Sequence, residues 1–271
     1  MIRLSFSTLG CPAYSLDQVL DLATSAGYDG VELRFLNGSV DLASQAEFSP
    51  DAIQATRERF RKAGVAVSCV DTSIRFSSPD PDERAKQLEA AHTYAKIAAA
   101  LDAPYIRLFG GTVTPDQEGR DTTQRIADGL AEAATISKQY GVTAILETHD
   151  SFCTSKQVAE LFAANPAPDL AILWDVLHSY RTGEAFEDTY SALGDRIRHV
   201  HLKDSGDFSP THFDLKLAGE GKMPLQVFFD LLKRVGYDGF VSFEWEKAWH
   251  PEIEEPEVAI PQFAQYVQGM R

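Results

Sequence analysis

Short β-rich segments alternate with longer amphipathic segments along the whole chain. Eight segments are rich in residues that favour strands: Leu4–Ser7, Val31–Arg34, Val65–Asp71, Tyr105–Phe109, Thr143–Glu147, Ala171–Asp175, His199–Lys203 and Phe240–Glu244. Between them apolar residues recur at helical spacing, as Ile126, Leu130 and Ala133 do. Strict alternation of strand and helix requires parallel strands joined by crossover helices. The pattern predicts an α/β fold, a single (β/α)8 TIM barrel that forms one domain over residues 1–271.

Length and composition agree with this fold and exclude some partners. The chain has 271 residues, and a (β/α)8 barrel needs about 250. A formal net charge of −15 argues against nucleic acids and anionic membranes, because phosphate groups are bound by Lys and Arg. The sequence has three cysteines at no metal-binding spacing, no recognisable signal peptide and no apolar run of about 20 residues. These features predict a cytoplasmic protein.

Polar side chains stand at the carboxyl ends of most of the predicted strands. In a barrel of this kind the catalytic groups project from these ends into one shared site. The residues at these positions are Glu32, Asp71, Arg107, Glu147, Asp175, His201 and Glu244. A single carboxylate there commonly caps the next helix or pairs with a local basic residue. So many at one rim indicate a functional site.

Four of these residues, on the fifth to eighth strands, form a set that suits a metal ion. They are Glu147, Asp175, His201 and Glu244. Without a counterion the three carboxylates would repel one another and raise each other's pKa. Oxygen-rich coordination favours Mn2+ or Mg2+, with Co2+ or Zn2+ as further candidates. We predict that these four side chains bind one divalent cation, with Mn2+ as the first expectation.

The sequence around these positions resembles the sugar phosphate isomerase/epimerase branch of the xylose-isomerase-like barrel superfamily. The resemblance covers essentially the whole chain, and the matching stretches are Leu146–His149, Asp175–His178, His199–Asp204, Gly219–Gly221 and Glu244–Glu246. It implies a single divalent metal at the four ligand positions. It also implies that His178 contacts substrate and that the Gly-Glu-Gly turn borders the pocket.

The same superfamily contains zinc-dependent endonucleases that act on abasic DNA and bind three metals through additional His and Asp ligands. One of those histidines lies on the fourth strand, where this chain has Arg107-Leu108-Phe109. A His–Asp set precedes the Gly-x-Gly turn in those enzymes, where this chain has Phe213–Leu217. The missing imidazoles and the acidic charge argue against DNA repair.

The resemblance also implies a reaction, the isomerisation or epimerisation of a keto-sugar or related polyol. A proton is removed next to a metal-chelated carbonyl. In keto-sugar epimerases of the family, the positions that match Glu147 and Glu244 remove and return this proton. His149 is a third candidate catalytic residue, because dehydratases of the superfamily use histidines to protonate a leaving hydroxyl. The alternatives are a metal-dependent lyase of an inosose-like or dehydroshikimate-like ketone, and a sugar-binding barrel without catalysis.

Several other residues are candidates for contact with the substrate. Glu32 could bond sugar hydroxyls, and Arg107 and Lys216 could bind a carboxylate or phosphate, although ion pairing explains both basic residues equally well. Trp249 could form an apolar wall for a sugar ring. The segment from Asp204 to Gly221 is predicted to be an irregular loop at the active site. The expected partner is a small sugar or polyol, and the sequence leaves a homo-oligomer open.

Overall fold

The computed structural model describes residues 2–117 and 119–271. Its strands are β1 (Arg3–Ser7), β2 (Gly30–Leu33), β3 (Ala66–Arg75), β4 (Tyr105–Phe109), β5 (Thr143–Glu147), β6 (Leu170–Asp175), β7 (Ile197–Leu202), β8 (Asp204–Ser209), β9 (His212–Lys216) and β10 (Phe240–Phe243). Its helices are α1 (Leu16–Ala26), α2 (Ile53–Ala63), α3 (Pro81–Ala100), α4 (Arg120–Lys138), α5 (Ser155–Ala164), α6 (Val176–Tyr180), α7 (Phe186–Leu193), α8 (Leu225–Arg234) and α9 (Pro256–Val267). None of these helices is long and apolar enough to cross a membrane.

Eight parallel strands close into a barrel, so the predicted (β/α)8 fold is confirmed. β1 to β7 follow one another around the barrel, and β10 closes it by pairing with β7 and β1. β3 extends to Arg75, beyond the predicted end at Asp71. Its register against β4 shifts between Asp71 and Arg75, and this irregularity lets the strand continue above the barrel rim.

Side-chain alternation along the strands creates two different environments. Outward-facing side chains pack against the helices in a continuous core that runs from Ile2 to Val267. Trp174 and Trp245 are fully buried in this layer, where Phe228 packs against the first and Phe243 against the second. Inward-facing side chains fill the barrel itself, with a small apolar cluster of Cys69, Ile145, Ala171 and Leu173. The buried charged residues of the barrel strands also occupy inward-facing positions.

The segment from Asp204 to Gly221 contains a hairpin, and its prediction as an irregular loop was wrong. β8 and β9 pair antiparallel, with Asp204 opposite Lys216. Gly, Ser and Asp in β8 are depleted in strands, so the sequence carries little strand signal there. The hairpin follows β7 directly and therefore begins at the carboxyl end of the barrel.

The Gly219–Gly221 turn encloses the carboxylate of Asp204. Asp204 Oδ2 accepts the N–H of Gly219 at 2.8 Å and that of Gly221 at 3.1 Å. Oδ1 accepts the N–H of Met223 at 3.1 Å. A Cβ at Gly221 would lie 2.1 Å from Asp204 Oδ1, so the close approach requires glycine. Asp204 thus fastens the base of the hairpin to the segment that leads into α8.

Candidate active site

The structure brings the four predicted metal ligands together at the carboxyl end of the barrel. Glu147 ends β5, Asp175 ends β6, His201 lies in β7 and Glu244 follows β10. One ligand atom from each lies within 4.8 Å of the others. All four side chains are buried, so water screens their charges poorly. We refer to these four residues as the ligand cluster.

Glu32 fixes the orientation of His201 within the ligand cluster. Glu32 Oε1 lies 2.7 Å from His201 Nε2, and Glu32 Oε2 bonds His199 Nε2. His201 therefore turns Nδ1 toward the carboxylates. This atom lies 3.1 Å from Glu244 Oε1 and 3.4 Å from Glu147 Oε1, but the geometry does not allow a hydrogen bond to either oxygen. A histidine that donates its other N–H to a carboxylate is the common arrangement of a metal ligand.

The position of Glu32 differs from the expectation that it bonds sugar hydroxyls. Its side chain is fully buried, and both carboxylate oxygens are engaged by His199 and His201. Burial opposes ionisation of Glu32, but the two histidines outweigh it and hold the pKa of the carboxyl well below its usual range. Glu32 thus acts on the ligand cluster through His201.

Arg107 is committed to protein carboxylates. Its guanidinium is buried, pairs with Glu147 Oε2 and lies 3.6 Å from Asp71 Oδ2. Burial raises the pKa of Glu147, but the charges of Arg107 and His201 outweigh this effect and lower it to about 2. Two roles were predicted for Arg107, binding of a substrate anion and ion pairing. The structure shows ion pairing, which keeps Glu147 ionised.

Lys203 lies in the middle of the site, although the sequence did not predict a role for it. Its ammonium group is fully buried, pairs with Glu244 Oε2 and lies 2.8 Å from both Asp175 Oδ2 and Glu246 Oε1. The available signal was its spacing, because a residue two positions after His201 faces the same side of the strand. Burial raises the pKa of Asp175 to about 6, against the opposing effect of Lys203.

Aromatic rings form a wall beside the ligand cluster. His149 and His178 meet edge to face, with ring centroids 4.4 Å apart. Phe109 packs against His149 at 5.0 Å, and Phe213 of β9 packs against His178 at 5.6 Å. The hairpin therefore contributes a side chain to this wall, which gives the space beside the ligand cluster an apolar face.

The two histidines of the wall differ in their tendency to bind a proton. Burial and the charge of His149 lower the pKa of His178 well below its usual value, and Arg181 Nε donates to His178 Nδ1 at 3.1 Å. Burial also opposes protonation of His149, but Asp150 and Glu147 raise its pKa. His149 Nδ1 lies 3.1 Å from Asp150 Oδ1. At neutral pH His149 therefore binds a proton more readily than His178 does.

Trp249 and Lys216, the two remaining predicted substrate contacts, lie at the rim. Trp249 is 54% exposed and meets the ring of Phe35 edge to face at 5.5 Å. Lys216 lies in β9, where its half-exposed side chain is 3.3 Å from Asp214 Oδ2. Neither residue belongs to the ligand cluster.

Comparisons with known proteins agree with this architecture. A family profile described as xylose isomerase-like TIM barrel matches residues 20–267. Fructoselysine 3-epimerase from Shigella flexneri is 30% identical over 255 residues, covering 88% of this chain and 87% of that protein. L-ribulose-5-phosphate 3-epimerase UlaE from Escherichia fergusonii is 26% identical over 264 residues, covering 92% and 88%. This chain therefore belongs to the xylose isomerase-like TIM barrel family.

Solved structures show the same fold. The structure of L-ribulose 3-epimerase matches with a TM-score of 0.82 at 19% identity, covering 100% of this chain and 94% of that one. The IOLI protein, whose structure contains a zinc atom, matches with a TM-score of 0.82 at 20% identity, covering 99% and 98%. The two sequence relatives are both epimerases, and this chain is an enzyme of the isomerase and epimerase type.

We expect Lys203→Met to destabilise the metal-free protein by about 3–5 kcal/mol, because it leaves buried carboxylates without their cation. Mn2+ should recover part of this loss by returning positive charge to the ligand cluster. Urea unfolding in EDTA and in Mn2+ measures both effects. Lys222→Met, which removes an exposed pair with Asp207, is the control and should behave as the wild type. If Lys203→Met in EDTA is as stable as the wild type, the buried carboxylates do not depend on Lys203.

Proposed function

We propose that this chain is a divalent-metal-dependent epimerase that inverts a carbon next to the ketone of a keto-sugar. The observation that carries the proposal is the placement of two glutamates around His201. Glu147 and Glu244 each turn one oxygen toward His201 Nδ1, while the other oxygen pairs with a buried cation. The relatives support the choice of reaction and substrate class, because both are 3-epimerases of sugar compounds.

The ligand cluster fits a divalent cation. Glu147 Oε1 and His201 Nδ1 are buried and have no hydrogen-bond partner among the described residues. Three carboxylates and one imidazole form a donor set typical of Mn2+, our first expectation, and Mg2+, Co2+ or Zn2+ also accept such ligands. When bound, the cation supplies Lewis-acid stabilisation of the negative charge that forms on the carbonyl oxygen.

Glu147 and Glu244 are suited to move the proton. Both carboxyls have pKa values below the usual range, because neighbouring cations outweigh the effect of burial, so both are ionised at neutral pH. We propose that one removes the proton next to the ketone, and that the other delivers a solvent-derived proton to the opposite face.

Arg107 and Lys203 lower the basicity of the two glutamates. The structure pairs one carboxylate oxygen of Glu147 with Arg107 and one of Glu244 with Lys203. The pairing keeps the bases ionised and makes them weaker. The transfer then requires a substrate proton that is acidic enough for a weak base, and a cation held by the ligand cluster would supply that acidity.

The aromatic wall supports a sugar as the substrate. Phe109 and Phe213 offer apolar surface beside the ligand cluster, and His178 Nε2 is buried without a hydrogen-bond partner among the described residues. We propose that His178 donates to a substrate oxygen through Nε2, because Nδ1 already accepts from Arg181. Trp249 would cover the outer end of the ligand.

We expect one Mn2+ per chain, bound more tightly as the pH rises. Burial lowers the pKa of His201, but Glu244, Glu32 and Glu147 outweigh this and raise it well above its usual value. His201 therefore carries a proton at neutral pH, and a cation at Nδ1 must displace it. Calorimetry between about pH 6 and pH 8, in buffers of different ionisation enthalpy, should show increasing affinity and release of about one proton.

Variants of two histidines provide the control for metal binding. His201→Gln should lose the ion, and His212→Gln, a change of an exposed histidine on β9, should keep it. Elemental analysis measures the content of each. Full metal content in His201→Gln, or an affinity independent of pH, would contradict the proposed site.

A ketose panel in deuterated water tests the reaction. With L-ribulose 5-phosphate and fructoselysine in the panel, we expect solvent deuterium at the inverted carbon. Glu147→Gln and Glu244→Gln should each lower the rate at least about 100-fold, once metal content is matched. Glu89→Gln, a change of an exposed glutamate on α3, is the control and should keep the wild-type rate. Tight sugar binding without exchange would instead identify a non-catalytic sugar-binding barrel.

His149 distinguishes the epimerase from a metal-dependent lyase, the second candidate function. The lyase is favoured by one observation, the raised pKa of His149 beside the ligand cluster, because a dehydratase needs an acid next to the departing oxygen. We expect His149→Ala to keep substantial deuterium exchange, since both glutamates remain. Mass spectrometry of the product decides, because an epimer has unchanged mass. Loss of one water from an inosose-like or dehydroshikimate-like ketone, abolished in metal-loaded His149→Ala, would identify the lyase.

A further inference from the structure

A positively charged side chain lies at the rim of the site without a carboxylate to neutralise it. Arg34 follows β2, two residues after Glu32, and is 8% exposed. Within residues 2–117 and 119–271, no carboxylate oxygen lies within 4.0 Å of its guanidinium. Its side chain donates one hydrogen bond, from Nη2 to Ser73 Oγ at 2.9 Å. Largely buried charges are ordinarily paired, and Arg107 next to it has two carboxylates.

The main chain holds Arg34 firmly in place. The hydroxyl oxygen of Thr8, a fully buried residue, accepts the N–H of Arg34 at 2.8 Å and that of Phe35 at 2.9 Å. Phe35 in turn packs against Trp249 at the rim. The backbone of Arg34 is therefore held in one position between the ligand cluster and the rim. A binding residue needs a fixed position of this kind.

The charged residues of the site affect the pKa of Arg34. Burial and the charge of Arg107 lower the pKa of Arg34 to about 10, whereas Asp71 and Glu147 act in the opposite direction. The charge of Glu147 in the ligand cluster thus acts on Arg34, which remains a cation at neutral pH. An incoming anion would supply the partner that the described residues do not.

We propose that Arg34, together with Ser73, binds an anionic group of the substrate, a phosphate or carboxylate at the end remote from the reacting carbon. This inference rests on the proposed function, because it takes the bound anion to be part of the substrate of the same site. The planar guanidinium can donate to two oxygens of such a group at once. Ser73 is exposed, and its hydroxyl accepts from Arg34 and so can donate to the same anion.

Binding of three five-carbon ligands without a ketone tests this inference independently of turnover. Ribitol, ribitol 5-phosphate and ribonate are titrated into the Mn2+-loaded protein by calorimetry. We expect one of the anionic ligands to bind at least about tenfold more tightly than ribitol. A preference for ribitol 5-phosphate identifies phosphate as the recognised group, and a preference for ribonate identifies carboxylate.

Variants assign the preference to Arg34. Arg34→Gln should abolish the preference and leave ribitol binding unchanged, whereas Arg34→Lys should retain part of it. The control is Arg57→Gln on α2, which removes an equal charge from a half-exposed ion pair with Asp102. This variant should keep the full preference. Equal binding of all three ligands by the wild type, or a preference that persists in Arg34→Gln, would overturn the inference.

Thermal unfolding separates recognition from a structural role. Arg34 makes one side-chain hydrogen bond, so Arg34→Gln should keep the wild-type Tm within about 3 °C. A large fall in Tm with equal weakening of all three ligands would show that Arg34 is structural. If no ketose is epimerised but Arg34→Gln still abolishes the anion preference, the proposed reaction fails and this inference stands.

Discussion

The interior of this barrel depends on the pairing of buried carboxylates with cations from neighbouring strands. Arg107 on β4 pairs with Glu147 on β5, and Lys203, directly after β7, pairs with Asp175 and Glu244 on either side. A buried carboxylate without a partner would take up a proton or destabilise the fold. The pairs therefore allow several acidic side chains to remain ionised at one end of a hydrophobic scaffold.

The same pairs determine which atoms remain for chemistry. Arg107 and Lys203 each take one oxygen of a glutamate, so the other oxygen of each faces His201. Glu32 similarly takes Nε2 of His201 and leaves Nδ1 toward the carboxylates. Each of these three ligands is thus held by a charged partner outside the ligand cluster, and the orientation of the donors is set before any substrate arrives.

The sequence predicted the barrel and the clustering of four candidate ligand residues at one end of it, because both follow from one-dimensional patterns. Strand alternation and strand ends place Glu147, Asp175, His201 and Glu244 at one rim whatever the details of packing. Pairings between strands depend on barrel register and rotamers, so the partners of Arg107 and the role of Lys203 could not be deduced. The hairpin was missed for a related reason, since β8 owes its conformation to pairing with β9 and not to its own composition.

The two proposals together separate reaction from recognition within one barrel. The ligand cluster comes from β5, β6, β7 and the end of β10, whereas Arg34 follows β2 on another part of the wall. A substrate that reaches both must extend across the barrel mouth, with its reacting carbon near the glutamates and its far end near Arg34. The reacting carbon is then positioned by binding at a distance, which is how remote binding energy can favour a proton transfer. If the proposed role of Arg34 is correct, changes near Arg34 alter substrate choice without disturbing the ion pairs that hold Glu147 and Glu244.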